Sequence, residues 1–102
     1  MSPFRRDRFA ELVRRQLDLF AEDDADLLAE AAEAERVYDD AAREGAEEAY
    51  GDLGLVLDAI AEALAEIRDT YAGTLDEDAA LAYESSFDRA AAKRHPKLRG
   101  RL

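Results

Sequence analysis

The chain has no cysteine and no tryptophan, a single histidine and only two prolines. Without cysteine there is no disulfide scaffold, no thiolate metal site and no thiol nucleophile. It also lacks any run of about 18 apolar residues, the length a membrane span requires. The opening MSPFRRDRF carries positive charge with no apolar stretch behind it, so it does not read as a secretory signal. The one histidine, His95, stands beside Pro96, and no HExxH or ExxH pair accompanies it, which excludes zincin and di-iron carboxylate sites. Gly-x-Ser-x-Gly, a glycine-rich phosphate loop and the clustered alternate acids of a calcium loop are missing as well. These absences predict a non-catalytic protein with no cofactor and no metal.

What is present is alanine and charge. Alanine fills 22 of the 102 positions, so 48% apolar content contributes less buried area than it suggests, and a few Leu, Ile, Phe and Tyr anchors must carry the core. Asp and Glu number 25 against 14 Lys and Arg, a net charge of −11 that argues against the whole chain tracking a phosphate backbone. The charge is uneven. Residues 1–20 hold five arginines against three acids, residues 21–88 hold three arginines against 22 acids, and residues 89–102 hold six basic residues and no acid. Arginine outnumbers lysine twelve to two, which together with the alanine points to GC-rich coding and a bacterial, cytoplasmic origin.

Periodicity predicts helix throughout. The strongest stripe is Leu53, Leu57, Ile60, Leu64, Ile67 and Tyr71, with Asp58, Glu62, Glu66 and Asp69 on the other side, and it marks the helix against which the others pack. Ser2 and Pro3 open a first helix over about 3–22. Glu22-Asp23-Asp24 reads as a tight connection to a second over about 25–50, whose buried face is Leu28, Ala31, Tyr38, Ala42, Ala49 and Tyr50. Gly51-Asp52 offers a stop and a new N-cap before a third helix at 53–72. Gly73 then ends the third, and Thr74 to Glu77 is a capping box for a fourth over 75–94.

Short connections between such helices predict one domain over 1–96, an all-α, antiparallel up-down-up-down four-helix bundle, followed by a basic, flexible tail at 97–102. The alternative is a single long central helix from Ala25 to Ala72 in an intertwined helical dimer, because the apolar pattern can be followed backwards through Gly51. The bundle topology gathers Arg5, Arg6, Arg8, Lys93, Arg94, Lys97, Arg99 and Arg101 into a basic pole.

Several side chains stand out. Gln16 and Glu35 fall on apolar faces, where a polar group needs a partner, and a turn at Gly51 brings Arg68 opposite Glu35. Phe4, Leu19, Val37, Leu55 and Leu81 project away from the apolar stripes and form a candidate contact patch. The functional expectation is a protein–protein interaction or self-association module, a homodimer being the simplest form. Two other readings stand beside it: an accessory protein contacting an anionic partner such as nucleic acid through its basic termini, and a carboxylate-lined ligand or metal site around Glu35.

Overall fold

The computed structural model describes residues 7–102. Four α-helices account for most of them: α1 (Ala10–Asp23), α2 (Ala25–Asp40), α3 (Arg43–Ala72) and α4 (Glu77–Arg94), with a short 3-10 turn at Pro96–Leu98. No strand occurs among the described residues, and the helices pack as a bundle around one core. The predicted start at Ser2-Pro3 lies outside the described residues. Within them, the Asp7 carboxylate accepts from the Phe9 N–H at 2.9 Å and organises the turn that leads into α1.

Two connections differ from the sequence reading, and both have local causes. Only Asp24 separates α1 from α2. Its N–H donates to the Phe20 carbonyl at 2.8 Å, and its own carbonyl accepts from the Leu28 N–H at 3.1 Å, so the helical ladder passes through it. The backbone there, at φ −112° and ψ 33°, bends without reversing direction. The predicted tight turn is therefore a kink.

The reversal comes instead at Ala41 and Ala42, both extended, at ψ 135° and ψ 164°. Asp39 and Asp40 crowd the negative end of the α2 dipole, with no basic residue in the last turn to offset them, whereas Glu44 suits the positive end of α3. Gly51 sits inside the 30-residue α3 and stops nothing. Neither the hairpin at Gly51 nor the unbroken helix from Ala25 to Ala72 is what forms.

The core combines Phe9, Val13, Leu17 and Phe20 of α1 with Leu53, Leu57, Ile60 and Leu64 of α3 and Tyr83, Phe87 and Ala91 of α4. Aromatic contacts set the order of the helices. Phe9 meets Tyr83 edge-on at 5.5 Å and Phe20 meets His95 at 6.4 Å, so α1 and α4 advance together. Tyr71 lies on Tyr83 at 4.8 Å while Arg68 reaches Asp88 at 2.8 Å, so α3 and α4 run in opposite order. An up-down-up-down bundle would instead bring the start of α1 to the end of α4; the kink at Asp24, in place of a turn, is why it does not.

α4 lies against α1 and the C-terminal half of α3, and α2 contributes no fully buried residue. Tyr38 and Tyr50, predicted to be buried, touch each other at 5.6 Å on the outside, 37% and 62% exposed. The molecule is long for its size, 56 × 28 × 22 Å.

Residues 97–102, expected to be a flexible tail, are docked. Leu98 is 1% exposed in the core, Leu102 packs beside it, and Arg101 reaches Asp58 at 2.8 Å. Two leucines within five residues supply the apolar anchors that a mobile tail would lack.

Candidate functional site

α3 presents two stripes. Leu53, Leu57, Ile60 and Leu64 face the core, and beside them Ala49, Asp52, Val56, Ala63, Ile67 and Thr70 recur at helical spacing along a second face. Val56, Ala63 and Ile67 on that face are only half-buried. It borders two hollows that lie in line along the helix. The first, of about 440 Å³, is closed on its far side by Glu30, Glu33, Ala34 and Val37 of α2. The second, of about 700 Å³, is closed by Gln16 and Asp24 and reaches Tyr71 and Thr74. The two share no lining residue, and together they mark an interrupted groove along α3 from Ala49 to Tyr71, about 33 Å at roughly 1.5 Å per residue.

Its chemistry is uniform. The walls carry Asp24, Glu30, Glu33, Asp52 and Glu66 and no lysine or arginine, while the floor is aliphatic. Val37 and Leu55 stand at its rim, 44% and 70% exposed. Residues 25–52, which build this half of the molecule, contain ten acids and two arginines. An apolar trough edged with carboxylates suits the apolar face of a helix whose flanks are basic.

The residues singled out in the sequence are dispersed over the structure. Val37 and Leu55 meet in the first hollow. Leu19 on α1 and Leu81 on α4 are exposed but line neither hollow, and Phe4 lies outside the described residues. Gln16 accepts a hydrogen bond from the Tyr83 hydroxyl at 2.7 Å, and burial raises that phenol's pKa. Glu35 and Arg68 do not meet. With the turn at Ala41–Ala42, Glu35 faces a different part of α3 and pairs with Lys97 at 3.3 Å. Arg68 is held by Asp69 and Asp88, each at 2.8 Å, and these carboxylates raise its pKa.

The basic pole does not assemble. Arg8 lies over the Phe9 ring at 4.8 Å, near the start of α1, whereas Arg94 pairs with Asp18 at 2.7 Å towards its end. Arg99 is exposed, and Arg5 and Arg6 lie outside the described residues. A different basic grouping forms between α1 and α4, where Arg14, Arg89, Lys93 and Arg94 line a hollow of about 670 Å³ together with Asp7 and Ser86. The Ser86 hydroxyl, bonded to the Asp7 carboxylate, lowers that acid's pKa, assisted by the Phe9 N–H and Arg89. Sequence reasoning passed over Asp7, although an acid two residues before Phe9, the cap position of a helix that has no side-chain cap, was a usable signal.

His95 has a buried Nε2 with no hydrogen-bond partner, and burial, with Arg94 beside it, lowers its pKa. It borders a hollow of about 350 Å³ with Leu28, Leu57, Ile60 and Glu35, the last already engaged by Lys97. Among the described residues, no group of three or more His, Asp or Glu stands where it could hold a metal ion, and no helix is long and apolar enough to cross a membrane. No protein-family model, curated protein or solved structure matches this chain.

Proposed function

We propose that this chain is a non-catalytic docking protein whose groove along α3 receives an amphipathic helix with basic flanks. The observation that carries the reading is the lining: Val37, Leu55, Val56, Ala63 and Ile67 in two hollows on one side of α3, whose linings hold five carboxylates and no lysine or arginine. In finer topology, the bent α1–α2 segment and α3 form an antiparallel pair, and α4 covers one side of it. A partner helix on the other side completes a four-helix cross-section over the α1 half and a three-helix one over the α2 half. Apolar contact supplies affinity there, and the acids select basic partners and speed their encounter.

A homodimer that laid one α2–α3 half on another would juxtapose two surfaces each with an excess of eight acids, a like-charge contact that opposes association. A basic partner meets no such penalty.

The test uses a designed amphipathic peptide of about 25 residues, long enough to follow the groove, with a Leu stripe flanked by Lys and Arg. A control peptide has the same composition in scrambled order. The reading predicts saturable binding of the first, weak binding of the second, and loss of the difference in Val37→Glu/Ile67→Glu. Equal binding of both peptides would reduce the interaction to non-specific charge attraction.

A further inference from the structure

The molecule carries two surfaces of opposite sign on different faces. The lining of the α3 groove has five carboxylates and no cation, and of the five only Glu33 is ion-paired, with Arg36 at 2.6 Å. The hollow between α1 and α4 is lined by Arg14, Arg89, Lys93 and Arg94 with Asp7; Arg14 also holds Glu11 and Asp18, Arg94 reaches Asp18 and Arg89 reaches Asp7, so four cations face three acids and Lys93 has no ion-pair partner among the described residues. In a chain of net charge −11, four cations around one hollow stand out against the average. The outer face of α4 continues this surface. Leu81, Ser85 and Arg89 follow one another at four-residue spacing with Lys93 beyond, all exposed, and Leu81 is 62% exposed. Asp88, on the same helix, is taken up by Arg68.

We infer that the groove's occupant is a second copy of this chain, which lays the Leu81–Lys93 face of α4 over the Val37–Leu55 part of the α3 groove. This inference rests on the docking reading above and names the partner. Leu81 meets the exposed aliphatics Val37 and Leu55, and Arg89 and Lys93, about 12 and 18 Å further along α4, meet the acidic side of α2 at Glu30. Both the apolar and the charged components of the contact are complementary, which neither surface achieves against itself. Because the two surfaces differ, the contact is heterologous. Each copy then keeps one free groove and one free basic face, so association continues into chains or closes into a ring.

Exposed charges are screened at high salt, where the Debye length falls to about 3 Å at 1 M. Light scattering on the full chain tests the inference. The expected result is a mass that rises with protein concentration at low salt and returns towards the monomer at high salt.

Two variants separate the surfaces: Arg89→Gln/Lys93→Glu removes the basic face and leaves the groove, and Val37→Glu/Leu55→Glu spoils the groove and leaves the basic face. All four positions are exposed, and circular dichroism confirms that each variant is folded. Each variant alone is expected to stay monomeric, and an equimolar mixture to form a one-to-one heterodimer that grows no further, because only one good surface of each kind remains.

A monomer at every concentration and low salt overturns the inference. So does association that persists in both variants, or a wild-type dimer that the mixture does not restore. The docking reading itself is decided separately by the peptide titration. A monomeric chain that still binds the amphipathic peptide refutes only the self-association.

Discussion

Tyr38 lies against Tyr50 at 5.6 Å, each on the outside of the molecule, across the two-residue connection Ala41–Ala42. That contact fixes the register of α2 on α3. It follows that Glu35 meets the C-terminal segment and not Arg68, and that Val37 shares a hollow with Leu55.

Gly51 gives the sharpest check on this register. It lies within α3, and a Cβ added there would meet nothing within 4 Å. Gly51→Ala should therefore stabilise the protein, by about 0.5 to 1 kcal/mol, as helix propensity and reduced unfolded-state freedom dictate. Denaturant unfolding measures it. A hairpin turning at Gly51 would be destabilised by the same substitution.

The C-terminal segment should behave as part of the core. Leu98 is 1% exposed, so Leu98→Ala should lower stability by about 2 kcal/mol, the low end for a buried leucine because a chain end relaxes readily. Unchanged stability, with narrow mobile signals from residues 97–102 in NMR spectra, would contradict the docked arrangement.

Tyr83 and Gln16 form a polar contact inside an aromatic cluster. Tyr83→Phe removes the donor and leaves the Gln16 carbonyl oxygen wanting a partner, a loss of about 1 kcal/mol. In the double variant with Gln16→Leu the orphaned amide is gone, and much of that loss should be recovered. Additive losses would mean that the two residues act independently.

His95 makes stability depend on pH. Burial and Arg94 depress its folded-state pKa below the ordinary value, so as pH falls the unfolded chain takes up the proton first. The contribution is complete above about pH 6.5, the unperturbed histidine value, and is lost progressively on acidification towards the folded-state pKa. Asp7, lowered by Ser86, acts in the same direction in a more acidic range, below the ordinary carboxylate value. Unfolding free energy should thus fall between pH 7 and pH 5, and His95→Gln should flatten that interval while leaving the acid limb in place. Parallel profiles for the two proteins would remove His95 from the account.

Much of the helical structure was legible because it is local. The stripe from Leu53 to Tyr71 is written in residue spacing; the fourth helix, however, is capped by Asp76, whose carboxylate accepts from the Ala79 N–H at 2.9 Å, and not by the expected Thr74, whose hydroxyl donates to the Tyr71 carbonyl. The path of the chain was not. Asp24 reads as a turn and acts as a kink, because the hydrogen-bond ladder can pass through one residue that is off helical geometry. Ala41–Ala42 reads as helix and acts as the turn, because the helix end is set by charge on the preceding turn and by packing along α3. The errors at the site follow from these two points. Glu35 opposite Arg68 and a basic pole were both consequences of the wrong turn. Val37 and Leu55 were visible as stray aliphatics, but the stripe through Val56, Ala63 and Ile67 could not be told from ordinary core until the side that α4 leaves open was known.

The docking groove is the central claim, and the most direct measurement is a map of peptide contacts on the isotopically labelled chain. Titration of the Arg89→Gln/Lys93→Glu variant, whose groove no second copy fills, with the basic amphipathic peptide, followed by backbone amide shifts, should move the signals of Val37, Ala49, Val56, Ala63 and Ile67 and leave the Leu81–Lys93 face of α4 unchanged. Shifts absent from those five residues, or centred on α4, would contradict the claim.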